Sequence, residues 1–213
     1  VASDFPARPR LVLDWDGTVV EKDVLTIALE RFGDQEVLDR VGPLFERGEA
    51  SWVEAMELEV ATLRVSLQEA SAWIARHVRV RPGLHELVAR CDAMILSGNL
   101  EELIRPVLAR EGLELPIVAN GVDPRLDGWR VRWNESLQCD ACRPRGDLCK
   151  RNGLPDPPFV YVGDSTTDQC AALVADRVFA RDDLARFLER QGVPFDVFED
   201  FHDVLAALDG AGI

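Results

Sequence analysis

Arg10-Leu11-Val12-Leu13-Asp14-Trp15-Asp16-Gly17-Thr18 decides the fold. The apolar run Leu11-Val12-Leu13 shows no polar alternation, so it reads as a short strand buried on both faces. Two carboxylates end it, and Gly17 lets the chain turn away. The same design returns at Ala93-Met94-Ile95-Leu96-Ser97-Gly98 and at Phe159-Val160-Tyr161-Val162-Gly163-Asp164. Pro116–Ala119 and Arg177–Ala180 supply further short strands, with helical periodicity over Leu100–Glu111 and Thr167–Ala175. Strands that alternate with helices predict an α/β fold, a parallel sheet covered on both faces.

Residues 21–78 interrupt that rhythm. Four apolar stripes of helical spacing follow one another there, around Leu25 and Phe32, Leu38 and Phe45, Trp52 and Val60, and Ala70 and His77. The segment reads as a helical insert after the first strand, with 1–20 and 79–213 forming the α/β core. Arg79-Val80-Arg81-Pro82-Gly83 marks the return, Pro82 being suited to the first helical position. Leu126-Asp127-Gly128-Trp129, followed by alternating Arg130-Val131-Arg132-Trp133, predicts a β-hairpin centred on Asp-Gly.

The 213 residues are 47% hydrophobic and 29% charged, a balance that excludes a disordered or collagen-like chain. With 38 acidic residues against 24 basic, the net charge is −14, which disfavours nucleic acid and anionic membranes as partners. A small phosphorylated metabolite remains compatible where a few basic groups and a metal converge. No apolar stretch reaches the ~20 residues of a membrane span, and Val1-Ala2-Ser3-Asp4 lacks a basic-then-apolar leader pattern, so a cytoplasmic location is expected. Oligomeric state is not written in the sequence.

Five cysteines, an odd number, argue against a full disulfide framework and agree with a reducing compartment. Cys139-x-x-Cys142, with Cys149 beyond, has the tight spacing of a zinc site, but no fourth ligand is obvious. Ordinary buried or loop cysteines are the favoured reading. His77, His85 and His202 sit in helical patterns without a catalytic signal, and Trp52 and Trp73 read as insert core, either able to line a pocket roof.

In parallel α/β sheets, ligands bind where strands end. Three strand ends here carry candidate groups: Asp14 with Asp16, Ser97 with Gly98, and Asp164 with Asp168. Carboxylates gathered at one edge repel each other, and a hard divalent cation relieves this, so magnesium is implied. Asp14, at the strand end, can attack phosphorus, while Asp16 can protonate the leaving oxygen and later activate water. Thr18 can support the turn with its hydroxyl. Ser97-Gly98-Asn99 offers a hydroxyl and amides to a phosphate oxygen at a helix start. Each piece alone also reads as ordinary capping.

Leu13-Asp14-Trp15-Asp16-Gly17-Thr18, Leu96-Ser97-Gly98 and Val162-Gly163-Asp164-Ser165-Thr166-Thr167-Asp168, in this order and with a helical insert after the first, resemble the haloacid-dehalogenase superfamily. The similarity lies in its phosphoserine-phosphatase-like branch with a small helical cap. The phosphatases of methionine salvage resemble the chain further, in the Cys-x-x-Cys before the last motif, the Gly-Asp-Ser-x-Thr-Asp loop and Phe179-Ala180-Arg181-Asp182. The resemblance implies a Rossmann-like core with a helical-bundle cap, and a magnesium-dependent phosphomonoesterase working through an aspartyl phosphate. It makes Asp14 the nucleophile, Asp16 the acid/base, and Asp14, the Asp16 carbonyl and Asp164 the magnesium ligands, with Asp168 supporting. Ser97 would bind the phosphoryl group.

The family also uses a lysine before its last motif. Arg143, directly after Cys142, stands where the methionine-salvage phosphatases have it, and Lys150 is the other candidate, only 14 positions before Asp164. Arg143 is the favoured reading, and arginine is not interchangeable with a point-charge lysine. Asp23 matches an acidic substrate-contacting position of the phosphoserine-phosphatase branch, or is a helix-start acid that complements the dipole. Two non-hydrolytic readings accompany this one: a weakened relative that only binds a phosphorylated ligand, for which Arg143 is the argument, and a receiver-like phospho-aspartate module.

Overall fold

The computed structural model describes residues 8–211, which leaves the expectation on Val1–Asp4 outside it. Leu11, Val12 and Leu13 are fully buried because their strand, β1 (Arg10–Leu13), lies at the centre of a seven-stranded sheet. On one side stand β2 (Asp92–Leu100), β3 (Ile117–Asp123) and β4 (Arg130–Arg132), and on the other β5 (Val160–Gly163), β6 (Arg177–Ala180) and β7 (Asp196–Val197). All neighbours run parallel except the β3–β4 hairpin, which pairs Val122 with Val131 across the Asp127-Gly128 turn. The α/β class and the hairpin thus stand as the sequence predicts.

Strand alternation divides the core into two clusters, one on each face. Leu11, Leu13, Ile95, Val160, Val162 and Phe179 belong to one; Val12, Leu96, Tyr161, Val178 and Ala180 belong to the other. Covering both faces is what lets these strands be apolar throughout.

Between β1 and β2 the chain forms α1 (Val24–Phe32), α2 (Gln35–Glu46), α3 (Trp52–Val60), α4 (Leu67–His77) and α5 (Leu84–Arg90). The first four are separate helices because each begins at its own cap: Asp23, Asp34, Ser51 and Ser66 accept from first-turn N–H groups. Helices α1 and α4 pack on α6 (Glu101–Arg110), and Val24, Ala28, Ala70 and Ile74 share one apolar cluster with Leu103, Ile104 and Val107.

Two local expectations are corrected. Pro82 is not in the first turn of α5: left-handed Gly83 (φ 84°) caps that helix, and the Pro82 carbonyl accepts instead from the Phe201 N–H of α9 (Phe201–Ala211). Beyond Asp164 the helix is shorter than its periodicity suggests, a 3-10 turn at Thr166–Asp168 followed by α7 (Gln169–Ala172), because Asp168 turns inward to cap the loop. The remaining helix, α8 (Asp182–Gln191), follows β6.

Candidate active site

Asp14 leaves β1 beside β5, and its N–H donates to the Val162 carbonyl at 2.9 Å. Strand order reverses at β1, so this edge is the crevice where parallel sheets bind ligands. Gly17 takes φ 78°, and a Cβ built there would lie 2.2 Å from Asp164 Oδ2, so only glycine brings the β1 and β5 ends together. Thr18 Oγ1 donates to Asp164 Oδ1 at 2.9 Å. Arg81 locks the loop from outside, with Nε and Nη2 on the carbonyls of Thr18 and Gly17 at 2.9 and 2.8 Å.

Lys150, rather than Arg143, occupies the basic position. Its ammonium donates to Asp14 Oδ1 and, at 2.6 Å, to Asp168 Oδ1, and its side chain is 2% exposed. Arg143 is exposed at the start of a 3-10 turn, Arg143–Arg145. The reason is local: the chain between Lys150 and β5 holds only a short 3-10 turn, Arg151–Gly153, so 14 positions suffice to reach Asp164. Residues 143–149 are spent in turns, one closed by left-handed Gly146. The argument for a weakened relative, built on Arg143, loses its basis.

Asp168 is wholly buried and fully engaged. Its Oδ1 accepts from Lys150 and from the Tyr161 hydroxyl (2.7 Å), and its Oδ2 from the N–H groups of Asp164 and Ser165. It fixes the lysine and the loop, and its pKa is held below the usual carboxylate range: burial opposes this, but Lys150 and the N–H donors outweigh it. Asp14 is pushed well above that range, by burial first and then by Asp168 and Asp164, with Lys150 opposing. Burial would depress the Lys150 ammonium, yet Asp14 and Asp168 raise it further than burial lowers it.

Asp16 is gripped at both oxygens: Oδ1 accepts from the N–H of Val24 at the start of α1 (2.8 Å), and Oδ2 from Asn99 Nδ2 (2.9 Å). Burial and the charge of Asp23 still push its pKa well above that of a free aspartate, the direction that favours a proton donor. Ser97 is buried and its Oγ accepts from the Asn99 N–H at 3.0 Å. It lies inside β2, not at the helix start expected of it, since α6 begins at Glu101. Gly98 allows Leu148 to close in, a Cβ there falling 2.9 Å from the leucine Cδ1. Asp23 caps α1 through the Thr26 N–H (2.6 Å) and also lines the cavity, so both of its sequence readings have a place.

The cavity above these groups measures about 400 Å³. Asp14, Asp16, Gly98, Asp164 and Lys150 form its floor, and Leu25, Phe45, Trp52 and Met56 an apolar roof from the insert. Trp52 thus lines the roof, whereas Trp73 is remote, stacked on His77 at 3.5 Å between centroids. None of the three histidines lines the cavity. Among the described residues, five carboxylates (Asp14, Asp16, Glu21, Asp23, Asp164) face one ammonium, Lys150, in this lining. Such a site repels a phosphate dianion unless a cation intervenes. Asp14, Asp164 and Asp168 bring one oxygen each within 4.8 Å of the others, an all-oxygen donor set that fits magnesium. Asp168 is saturated by hydrogen bonds, whereas Asp14 and Asp164, hydrogen-bonded through Oδ1 to Lys150 and Thr18, keep the other oxygen for a cation.

Tyr161 and Arg81 were not singled out by the sequence, and Asn99 entered only as part of the Ser97-Gly98-Asn99 stretch, without its contact to Asp16; a side-chain amide after Ser-Gly and a tyrosine inside a strand carry no signal until the fold aims them. Among the described residues no helix is long and apolar enough to cross a membrane.

The haloacid dehalogenase-like hydrolase family model matches residues 11–173. The 2-hydroxy-3-keto-5-methylthiopentenyl-1-phosphate phosphatase of Brevibacillus brevis is 31% identical, over 93% of this chain and 94% of that protein. Its namesake from Geobacillus kaustophilus is 29% identical, over 93% and 94%. A substrate-bound phosphoserine phosphatase shares the fold with a TM-score of 0.68 at 16% identity, covering 95% of this chain and 99% of that one. The phosphoserine phosphatase of T. onnurineus does so with a TM-score of 0.62 at 17% identity, over 98% and 97%. With its three motifs in order and relatives that are phosphatases, the chain belongs to the haloacid dehalogenase-like hydrolase family, as a phosphatase.

Proposed function

We propose that the chain hydrolyses a small phosphomonoester through an aspartyl phosphate on Asp14, with magnesium, and that its substrate is 2-hydroxy-3-keto-5-methylthiopentenyl 1-phosphate, named in its curated relatives. The observation that carries the substrate reading is the roof: Leu25, Phe45, Trp52 and Met56 offer apolar and aromatic surface suited to a methylthio tail. Phosphoserine, by contrast, carries a carboxylate, and among the described residues the cavity lining holds no cation besides Lys150, already shared by Asp14 and Asp168. Residues 21–78 act as the cap that excludes bulk water during transfer.

Asp14, Asp164 and the Asp16 carbonyl would hold magnesium, whose charge screens the incoming phosphate and keeps Asp14 ionised. Lys150 and Ser97 bind the phosphoryl oxygens. Asp14 attacks phosphorus while Asp16, held by Val24 N–H and Asn99, gives its proton to the leaving oxygen; Asp16 then takes a proton from water as it attacks the aspartyl phosphate. A receiver-like role is disfavoured, since Asp16 stands ready to discharge the phosphate.

The test is phosphate release from this ketone phosphate beside phosphoserine, phosphoethanolamine and p-nitrophenyl phosphate, with magnesium and with EDTA. Magnesium-dependent release that prefers the methylthio compound and vanishes in Asp14→Asn supports the proposal. A preference for phosphoserine overturns the substrate, and full activity in Asp14→Asn overturns the mechanism.

A further inference from the structure

Cys139, Cys142, Cys149 and Cys170 bring their sulfur atoms within 4.8 Å of one another. The first three were visible in the sequence as a set without a fourth member. Folding supplies it from α7, where Cys170 meets Cys142 with 3.8 Å between sulfurs. A tetrahedral zinc with Zn–S bonds of about 2.3 Å has S···S edges of about 3.8 Å, so the cluster already has the size of such a site. A disulfide would draw two of these sulfurs together and leave the other two thiols unused.

We propose that these four cysteines bind one structural zinc ion. The set is closed, with four sulfur ligands and no open position, and binding releases the thiol protons. The negative charge of four thiolates meets Arg145, whose Nη2 donates to Cys142 Sγ at 3.5 Å. The stretch from Gln138 to Cys149 needs such a staple, because its regular structure is one 3-10 turn and only Cys142, Leu148 and Cys149 in it are buried. That stretch ends at Lys150. Cys149 precedes the lysine, and Cys170 lies two residues beyond Asp168, so one ion ties together the two chain segments whose side chains form the buried pair at the floor of the site. The link to turnover rests on the phosphatase reading; the zinc site does not.

The experiment is metal analysis of reduced chain purified without chelators, together with cobalt substitution, on the wild type, Cys170→Ser, Cys139→Ser, Cys91→Ser and Asp14→Asn. One zinc per chain is expected in the wild type, in Cys91→Ser and in Asp14→Asn, whose lack of turnover leaves the zinc count readable. Cobalt should give the intense visible bands of tetrahedral thiolate coordination. Cys170→Ser and Cys139→Ser, with circular dichroism showing them folded, should lose the ion and become open to trypsin after Arg145. With magnesium kept, zinc-free protein should lose about tenfold or more in kcat. The proposal is overturned by folded, reduced wild type that takes up neither zinc nor cobalt, by iron in place of zinc, by a Cys142–Cys170 disulfide in protein alkylated at harvest, or by Cys170→Ser that keeps its zinc. Zinc loss without change in kcat overturns only the link to Lys150.

Discussion

Lys150 and Asp168 form an ion pair at 2.6 Å in which neither side chain is more than 2% exposed. A buried pair of this kind is costly to halve, because the charge left behind has no water to turn to. Replacing Lys150 by methionine strands Asp168 and leaves Asp14 facing Asp164 and Asp168 without relief. Lys150→Met should lose about 3–5 kcal/mol in urea unfolding and all measurable phosphate release. Lys150→Arg should recover part of the stability, since the charge returns, and little of the turnover, since the fork cannot take the place of a point charge. Equal turnover in Lys150→Arg and wild type would contradict the geometry.

Asp16 should betray its role through the leaving group. A nitrophenolate departs without a proton, whereas an alkoxide does not. In Asp16→Asn, p-nitrophenyl phosphate should give a burst of one nitrophenol per enzyme followed by slow turnover, while alkyl phosphomonoesters should fail already at the first step. Rapid-quench measurement separates the two. Asn99→Ala removes the hydrogen bond that lowers the Asp16 pKa, so the ionisation assigned to Asp16 in the pH–rate profile should move upward.

The strand-end carboxylates couple stability to pH in a definite direction. Asp14, Asp16 and Asp164 are raised above the aspartate value of 3.8, burial being the first cause for each. Between that value and their folded pKa the folded chain holds more protons than the unfolded one, so their contribution to stability falls as pH rises through this window. Asp168, which is lowered, works the other way and loses its contribution only below 3.8. On the proposed mechanism, magnesium would compete with the protons on Asp14 and Asp164. Its shift of Tm should therefore be larger at pH 7.5 than at pH 5.5, as read by calorimetry in EDTA and in excess magnesium.

Gly17→Ala adds a methyl group where Asp164 Oδ2 would stand 2.2 Å away, at a φ that favours glycine. The strain should cost about 1–2 kcal/mol and displace Asp164. The concentration of magnesium needed for half activity should rise, while Gly42→Ala, on a helix with nothing within 4 Å of its Cβ, should leave it unchanged.

What the sequence made legible was the part governed by short-range rules. Leu11-Val12-Leu13 could be read as a doubly buried strand because no residue in it tolerates water, and Asp127-Gly128 could be read as a turn because few other pairs close one so tightly. Asp14, Asp16 and Asp164 stood out through their position at strand ends. Lys150 was misjudged because nothing local says that the segment before β5 is a 3-10 turn instead of a helix. Cys170 was invisible for another reason: one cysteine in a four-residue helix has no pattern, and only the return of the chain past β5 brings it to Cys142. Asn99 and Tyr161 acquire their roles in the same way, from strands that meet only in the sheet.

The packing of α1 and α4 against α6 sets a hierarchy of motion. Those two helices share the apolar cluster of the sheet face, whereas α2 buries Val41 alone among its twelve residues and still presents Phe45 to the cavity. Amide exchange should find α2 among the first helices to open and α1 among the last. The part of the roof that α2 supplies through Phe45 is then the least firmly held, so substitutions that retune ligand choice can accumulate on α2 without unsettling the strands beneath.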